Sequence, residues 1–239
     1  MIALLVAASV AAGIIRTTVG VGAGIFLTAS LSLTLDPVFT LAVMAVLQIA
    51  FDASAGYHFW GAWERRLIRI MVPCAVIGVV VGAYMVAVLP SASVRRAMGA
   101  MLCTYVVLQL TANRRRRGLR VGTGVSAAAG TAFLSGAASS LANVSGVILA
   151  LYLLALDLPR DRYMASLTAI QFLQDLFKIG TYWGFGILGL DAVVAALPLV
   201  PLILVGGALG TLLNRWISPL LFKALVLSFV GISCVRLLR

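Results

Sequence analysis

Residues 13 to 37 interrupt an apolar run at the depth where lipid should lie. Arg16, Thr17 and Thr18, then Gly20, Gly22 and Gly24, stand between MIALLVAASV and IFLTASLSL. A bilayer core has no water to satisfy loose backbone groups, so a helix breaks there only where it lines a protein cavity. That cavity is the candidate functional site. The stretch has an echo at residues 136 to 159, GAASSLANVSGVILALYLLALDLP, with the same order of small residues, polar residues, apolar run, acid and proline. Beyond it, Gln48, Asp52, Trp60 and Gly61 fall against Gln171, Asp175, Trp183 and Gly184 at a constant offset. Gly78 and Gly82 then match Gly206 and Gly210, and Arg95 matches Lys223. The chain reads as a duplicated half: a first repeat over 1–112, an Arg-rich cytoplasmic linker over 113–120 and a second repeat over 121–239.

With 62% hydrophobic residues, 10% charged residues and a mean hydropathy of +1.12, a water-soluble fold would lack the polar surface to cover itself. The composition is that of an integral membrane protein. A helix needs roughly 20 apolar residues to span. Apolar segments run over about 3–35, 37–60, 67–89, 93–112, 121–156, 162–184, 190–213 and 220–235. They leave no stretch for a soluble domain. The net charge of +11 and the run Arg114 to Arg117 with Arg120 raise the question of nucleic acid. Short Arg-rich loops are how a membrane protein marks its cytoplasmic side, so no nucleic-acid partner is expected. No basic residue precedes the first apolar stretch, so that stretch is expected to be retained rather than cleaved.

Segments one and five, of roughly 33 and 36 residues, are too long for one crossing of a ~30 Å core and too short for two. A re-entrant or broken-helix hairpin fits, turning near Thr18 to Gly24 in one half and near Ser139 to Gly146 in the other. The alternative is one long tilted helix with a small-residue packing face. One hairpin and three spans per half would put twelve basic residues on one side and four on the other, against ten and six if all eight segments crossed. The hairpin arrangement therefore obeys the positive-inside rule better. Its odd number of crossings would also invert the second copy, as in many secondary transporters.

Gln48 and Asp52 lie four residues apart, on one helix face, as do Gln171 and Asp175. Lys178 follows Asp175 by three and can pair with it, lowering the cost of a charge in lipid. His58, the sole histidine, sits in the aromatic run Tyr57 to Trp60 and reads as an interface anchor. The glycines at 78, 82, 206 and 210 read as close helix packing. Cys74, Cys103 and Cys234 are scattered over apolar segments and read as packing residues, with neither a disulfide framework nor a metal site. No cofactor is expected. Asn143-Val144-Ser145-Gly146 has a superficial likeness to a nucleophile turn, with His58 as base. The repeat sets Ser145 against Gly22, however, and His58 reads as lying near the interface, which argues against an intramembrane serine protease; no catalytic residue is expected.

Helices ending at the two breaks would point N–H groups and positive dipole ends into the cavity. Arg16 adds a fork of donors suited to an oxyanion, and Thr17, Thr18, Ser139, Ser140, Asn143 and Ser145 add neutral ones. With Gly20, Gly22, Gly24 and Gly146 for close backbone approach and Gln48 and Gln171 on the path, these are the expected substrate-binding residues. Asp52, Asp175 and Lys178 are candidates for proton coupling. AAGIIRTTVGVGAGIFLTASL in the first half and GVILALYLLALDLPRDRYMASL in the second resemble the TauE/SafE family of sulfite exporters and related anion permeases, over nearly the whole chain. The resemblance implies a multi-pass permease of the bacterial inner membrane for sulfite, sulfonates or similar anions. The expectation is an all-α polytopic membrane protein that moves a small anion among membrane lipids, with a passive anion channel as the alternative.

Overall fold

The structure is a computed structural model and describes residues 2–19, 22–32, 34–56, 61–115, 124–213 and 230–231. Gly20, His58, Trp60, residues 116–123 and Lys223 lie outside the described residues, as does most of the segment 220–235. Every element described is a helix: α1 (Ile2–Val19), α2 (Ala23–Leu31), α3 (Pro37–Gly56), α4 (Arg65–Val88), α5 (Ser91–Arg115), α6 (Val125–Ala142), α7 (Ser145–Leu154), α8 (Arg160–Gly184), α9 (Leu190–Ala196) and α10 (Leu199–Leu213). Among the described residues, three stretches are long and apolar enough to cross a membrane: Arg65–Val88, Val125–Ala142 and Leu190–Gly210. At 1.5 Å per residue, α4 alone measures about 36 Å, more than a hydrocarbon core.

Local chemistry explains where the helices begin and stop. Asp36 caps α3, its Oδ1 accepting from the Val38 and Phe39 N–H groups at 2.9 and 3.3 Å, with Pro37 in the first turn. The segment over 190–213 divides at Leu197 and Pro198, because proline cannot donate to the helical ladder. α5 continues through Arg115, into the stretch read as linker. Cys103 corrects the reading of the cysteines: it is disulfide-bonded, while Cys74 is a free thiol.

Segments one and five are not single tilted rods. The first is broken between α1 and α2, the second between α6 and α7, and the two arms of each pair touch. The most extensive helix contacts join different halves, α4 with α6 and α1 with α10. Their closest approaches correspond residue by residue. Gly78 lies against the Phe133 carbonyl and Gly136 against the Ala75 carbonyl; Gly206 lies against the Val10 carbonyl and Gly13 against the Ile203 carbonyl. Each member of the first pair occupies the repeat position of its counterpart in the second. In all four places a methyl group would be driven into backbone that cannot swing aside. Gly78→Ala should therefore destabilise the protein by about 1–3 kcal/mol through overpacking. Gly130→Ala, where a methyl meets open space, should be neutral or slightly stabilising. Thermal unfolding of the two variants in detergent checks the contrast, and equal effects would refute it.

Candidate functional site

The two helix breaks converge. Gly22 precedes α2 with φ 102°, a left-handed conformation that only glycine adopts without strain. Asn143 ends α6 with φ 56°, and the N–H groups of Asn143 and Val144 return to the carbonyls of Ser139 and Ala138 at 3.1 and 3.4 Å. Asparagine tolerates this left-handed helix end better than other side chains with a Cβ. α7 then starts at Ser145. A Cβ placed on Gly24 would lie 3.1 Å from Gln48 Nε2 and 3.9 Å from the Asn143 carbonyl oxygen, so one break faces the other.

Between them opens a pocket of about 390 Å³, counting its mouth. One wall is the start of α2, Gly22 to Ile25; the opposite wall is Asn143 with Gly146 and Val147 of α7. α3 contributes Gln48, Phe51 and Asp52, α1 contributes Arg16 and α8 contributes Gln171. Neither α2 nor α7 has a side-chain cap on its N-terminus. The first N–H groups of a helix have no acceptor within it, so both ends offer donors and a positive partial charge to the pocket.

Around the pocket lies a buried charge network that crosses the repeat boundary. Arg16 Nη2 meets Asp52 Oδ1 at 2.7 Å. Lys178, fully buried, meets Asp175 Oδ1 at 2.8 Å and donates to Gln48 Oε1 at 2.5 Å, Asn143 Oδ1 at 3.0 Å and Ser139 Oγ at 3.1 Å. Ser139 Oγ also donates to Asp175 Oδ1 at 3.1 Å. The Asp175 carboxyl in turn lies close enough to that of Asp52 to interact with it directly. Ser139 holds the repeat position of Arg16, and each reaches the acid of its own half. The two stretches that match in sequence thus differ in where the cation comes from. In the first it hangs from the broken helix; in the second it sits one turn from its acid on α8.

Of the residues expected to bind substrate, Arg16, Gly22, Gly24, Gln48, Asn143, Gly146 and Gln171 line the pocket, and so does Asp52. Ser139, Ser140 and Ser145 do not. Ser140 Oγ donates to the Val79 carbonyl at 3.0 Å, holding α6 to α4, and Ser145 is buried in the first turn of α7. Asp175 and Lys178 stand behind the lining rather than in it. Gly20 and the side chains of Thr17 and Thr18 lie outside the described residues. Thr28 was not foreseen: its Oγ1 accepts from Asn143 Nδ2 at 3.0 Å, joining α2 to the second break. No role was expected for Gln174, the neighbour of Asp175 in sequence. It donates to the Ser135 carbonyl at 3.0 Å and accepts from Ser135 Oγ at 3.3 Å. Its spacing from Gln171 and Lys178 on one helix was the available signal.

Apolar helices of membrane-spanning length, packed around a pocket of charged and amide groups, define a helical membrane protein with a polar interior site. The chain belongs to the sulfite exporter TauE/SafE family, whose model matches residues 5–237. It is accordingly a membrane transporter. No curated protein and no solved structure matches it.

Proposed function

We propose that the protein is a secondary transporter that carries a small anion across the bacterial inner membrane by alternating access. The cargo is sulfite, an organosulfonate or a related sulfur-containing or organic anion. One observation carries this reading: the uncapped N-termini of α2 and α7 and the guanidinium of Arg16 open on a single pocket. Backbone donors and a forked cation converging from three helices are what an oxyanion needs on leaving water. The family match supports a sulfur oxyanion as the cargo. Gln48 and Gln171 provide neutral donors at equivalent positions of the two halves, and Asp52, Asp175 and Lys178 are the residues for proton handling.

The crossed packing of α4 on α6 and α10 on α1 supports two repeats related by inversion, each a broken hairpin followed by three spans. In that arrangement the pocket between the two helix breaks opens to one side at a time. Purified protein reconstituted in liposomes should move sulfite down an imposed gradient and be competed by sulfonates. Liposomes that exclude sulfite, sulfate, sulfoacetate and carboxylates alike would sink the proposal. A reporter fused after Arg239 should lie outside the cytoplasm, and a cytoplasmic reporter would overturn the inverted arrangement.

A further inference from the structure

We propose that Asp52 is a built-in stand-in for the transported anion, which displaces its carboxylate from Arg16 and thereby loads one proton onto Asp52 for each anion bound. This rests on the pocket being an anion site and states what its occupation is linked to.

Asp52 is 3% exposed, faces the pocket and places Oδ1 2.7 Å from Arg16 Nη2. The same guanidinium is the cation available to an anion in that pocket, so ligand and carboxylate compete for it. The second carboxyl oxygen, Oδ2, is buried and meets no hydrogen-bond donor among the described residues. Buried polar atoms are normally satisfied, and one that is not marks a group held for some other reason. A proton on this carboxyl would remove the deficit of donors, with the neighbouring Asp175 carboxylate as its acceptor.

Charge bookkeeping gives the same answer. Facing Asp52 are Arg16 from α1 and Asp175 and Lys178 from α8. α2, α6 and α10 bring no titratable side chain. Asp191 of α9 and Arg95 and Arg96 of α5 are exposed, and Tyr105 of α5 stands beside Gly22. Two positive and two negative charges cancel. An added anion leaves this cluster negative in a medium where charge is poorly screened, unless a proton arrives with it. The exchange balances: Asp52 carboxylate plus a proton from water gives the neutral acid, while the guanidinium passes from carboxylate to anion. Asp175 keeps Lys178 throughout, so Asp52 is the acid that changes partner.

The test is calorimetric titration of the purified wild-type protein with methanesulfonate, whose charge is fixed near neutral pH, and with sulfite corrected for its own ionisation. Buffers of different ionisation heat report proton exchange. The expected result is uptake of one proton per anion, with affinity falling about tenfold per unit rise in pH above the range where Asp52 titrates. Asp52→Asn should bind the anion with no proton uptake and with affinity independent of pH. Binding to the wild type without proton uptake overturns the inference and leaves the anion site standing, as does uptake that persists in Asp52→Asn. A wild-type protein that binds neither anion overturns the site and the inference together. If Asp52→Asn does not fold, the wild-type proton count alone decides.

Discussion

Lys178→Met should destabilise the protein by about 3–5 kcal/mol, because it leaves a buried carboxylate with no counter-charge. The ammonium reaches Asp175, Gln48, Asn143 and Ser139, on α8, α3, the second break and α6. It has three protons for these four acceptors, so no neutral side chain of its length can replace it. Methionine matches its volume and removes the charge, which separates electrostatics from packing. For a chain of this size the loss should lower the unfolding midpoint by roughly 6–20 °C. Adding Asp175→Asn should restore much of it, since breaking a buried pair costs more than removing both charges. A midpoint within a degree of wild type for the single variant would show that the network does not hold the halves together.

Arg16→Gln should weaken anion binding by at least about 100-fold, as loss of charge-assisted hydrogen bonds to a desolvated ligand would. The fold should survive. Glutamine can still offer a donor to Asp52, and Arg16 sits at the edge of the network with its side chain 16% exposed, whereas Lys178 is fully enclosed. Arg16→Lys should recover part of the affinity, because a point charge replaces the fork without its paired geometry. Titration of the variants with sulfite, beside their elution in detergent, reads both effects. Unchanged affinity in Arg16→Gln would remove the guanidinium from the site.

The two predictions concern cations that were not equally legible. Arg16 is conspicuous in sequence because it stands beside a glycine cluster in an apolar run, and the break it announces is where α1 gives way to α2. The second break is marked by small and polar residues, and there the boundary shifted. Ser139 and Ser140 read as loop donors, yet α6 continues through Ala142 because serine satisfies its hydroxyl by bonding elsewhere in the helix bundle. Lys178 read as a partner for Asp175, and it is one. Its three further bonds come from residues 35 to 130 positions away. No local pattern encodes such distances.

Some properties follow from the order of residues alone. Hydropathy sets the helical membrane class, since a backbone in lipid must satisfy itself within each helix. Glycines, prolines and small polar residues set the interruptions, and the internal echo pairs Gln48 with Gln171 and Gly78 with Gly206 before any contact is known. Other properties depend on how the helices come together. That Arg16 holds Asp52, that Asp52 borders Asp175 and that the two breaks share one pocket are consequences of α3 packing on α8 and of α1 packing on α10 and α4 on α6. Charges choose partners by distance through space, and in this chain those distances are set by glycine faces that let backbones from opposite halves touch.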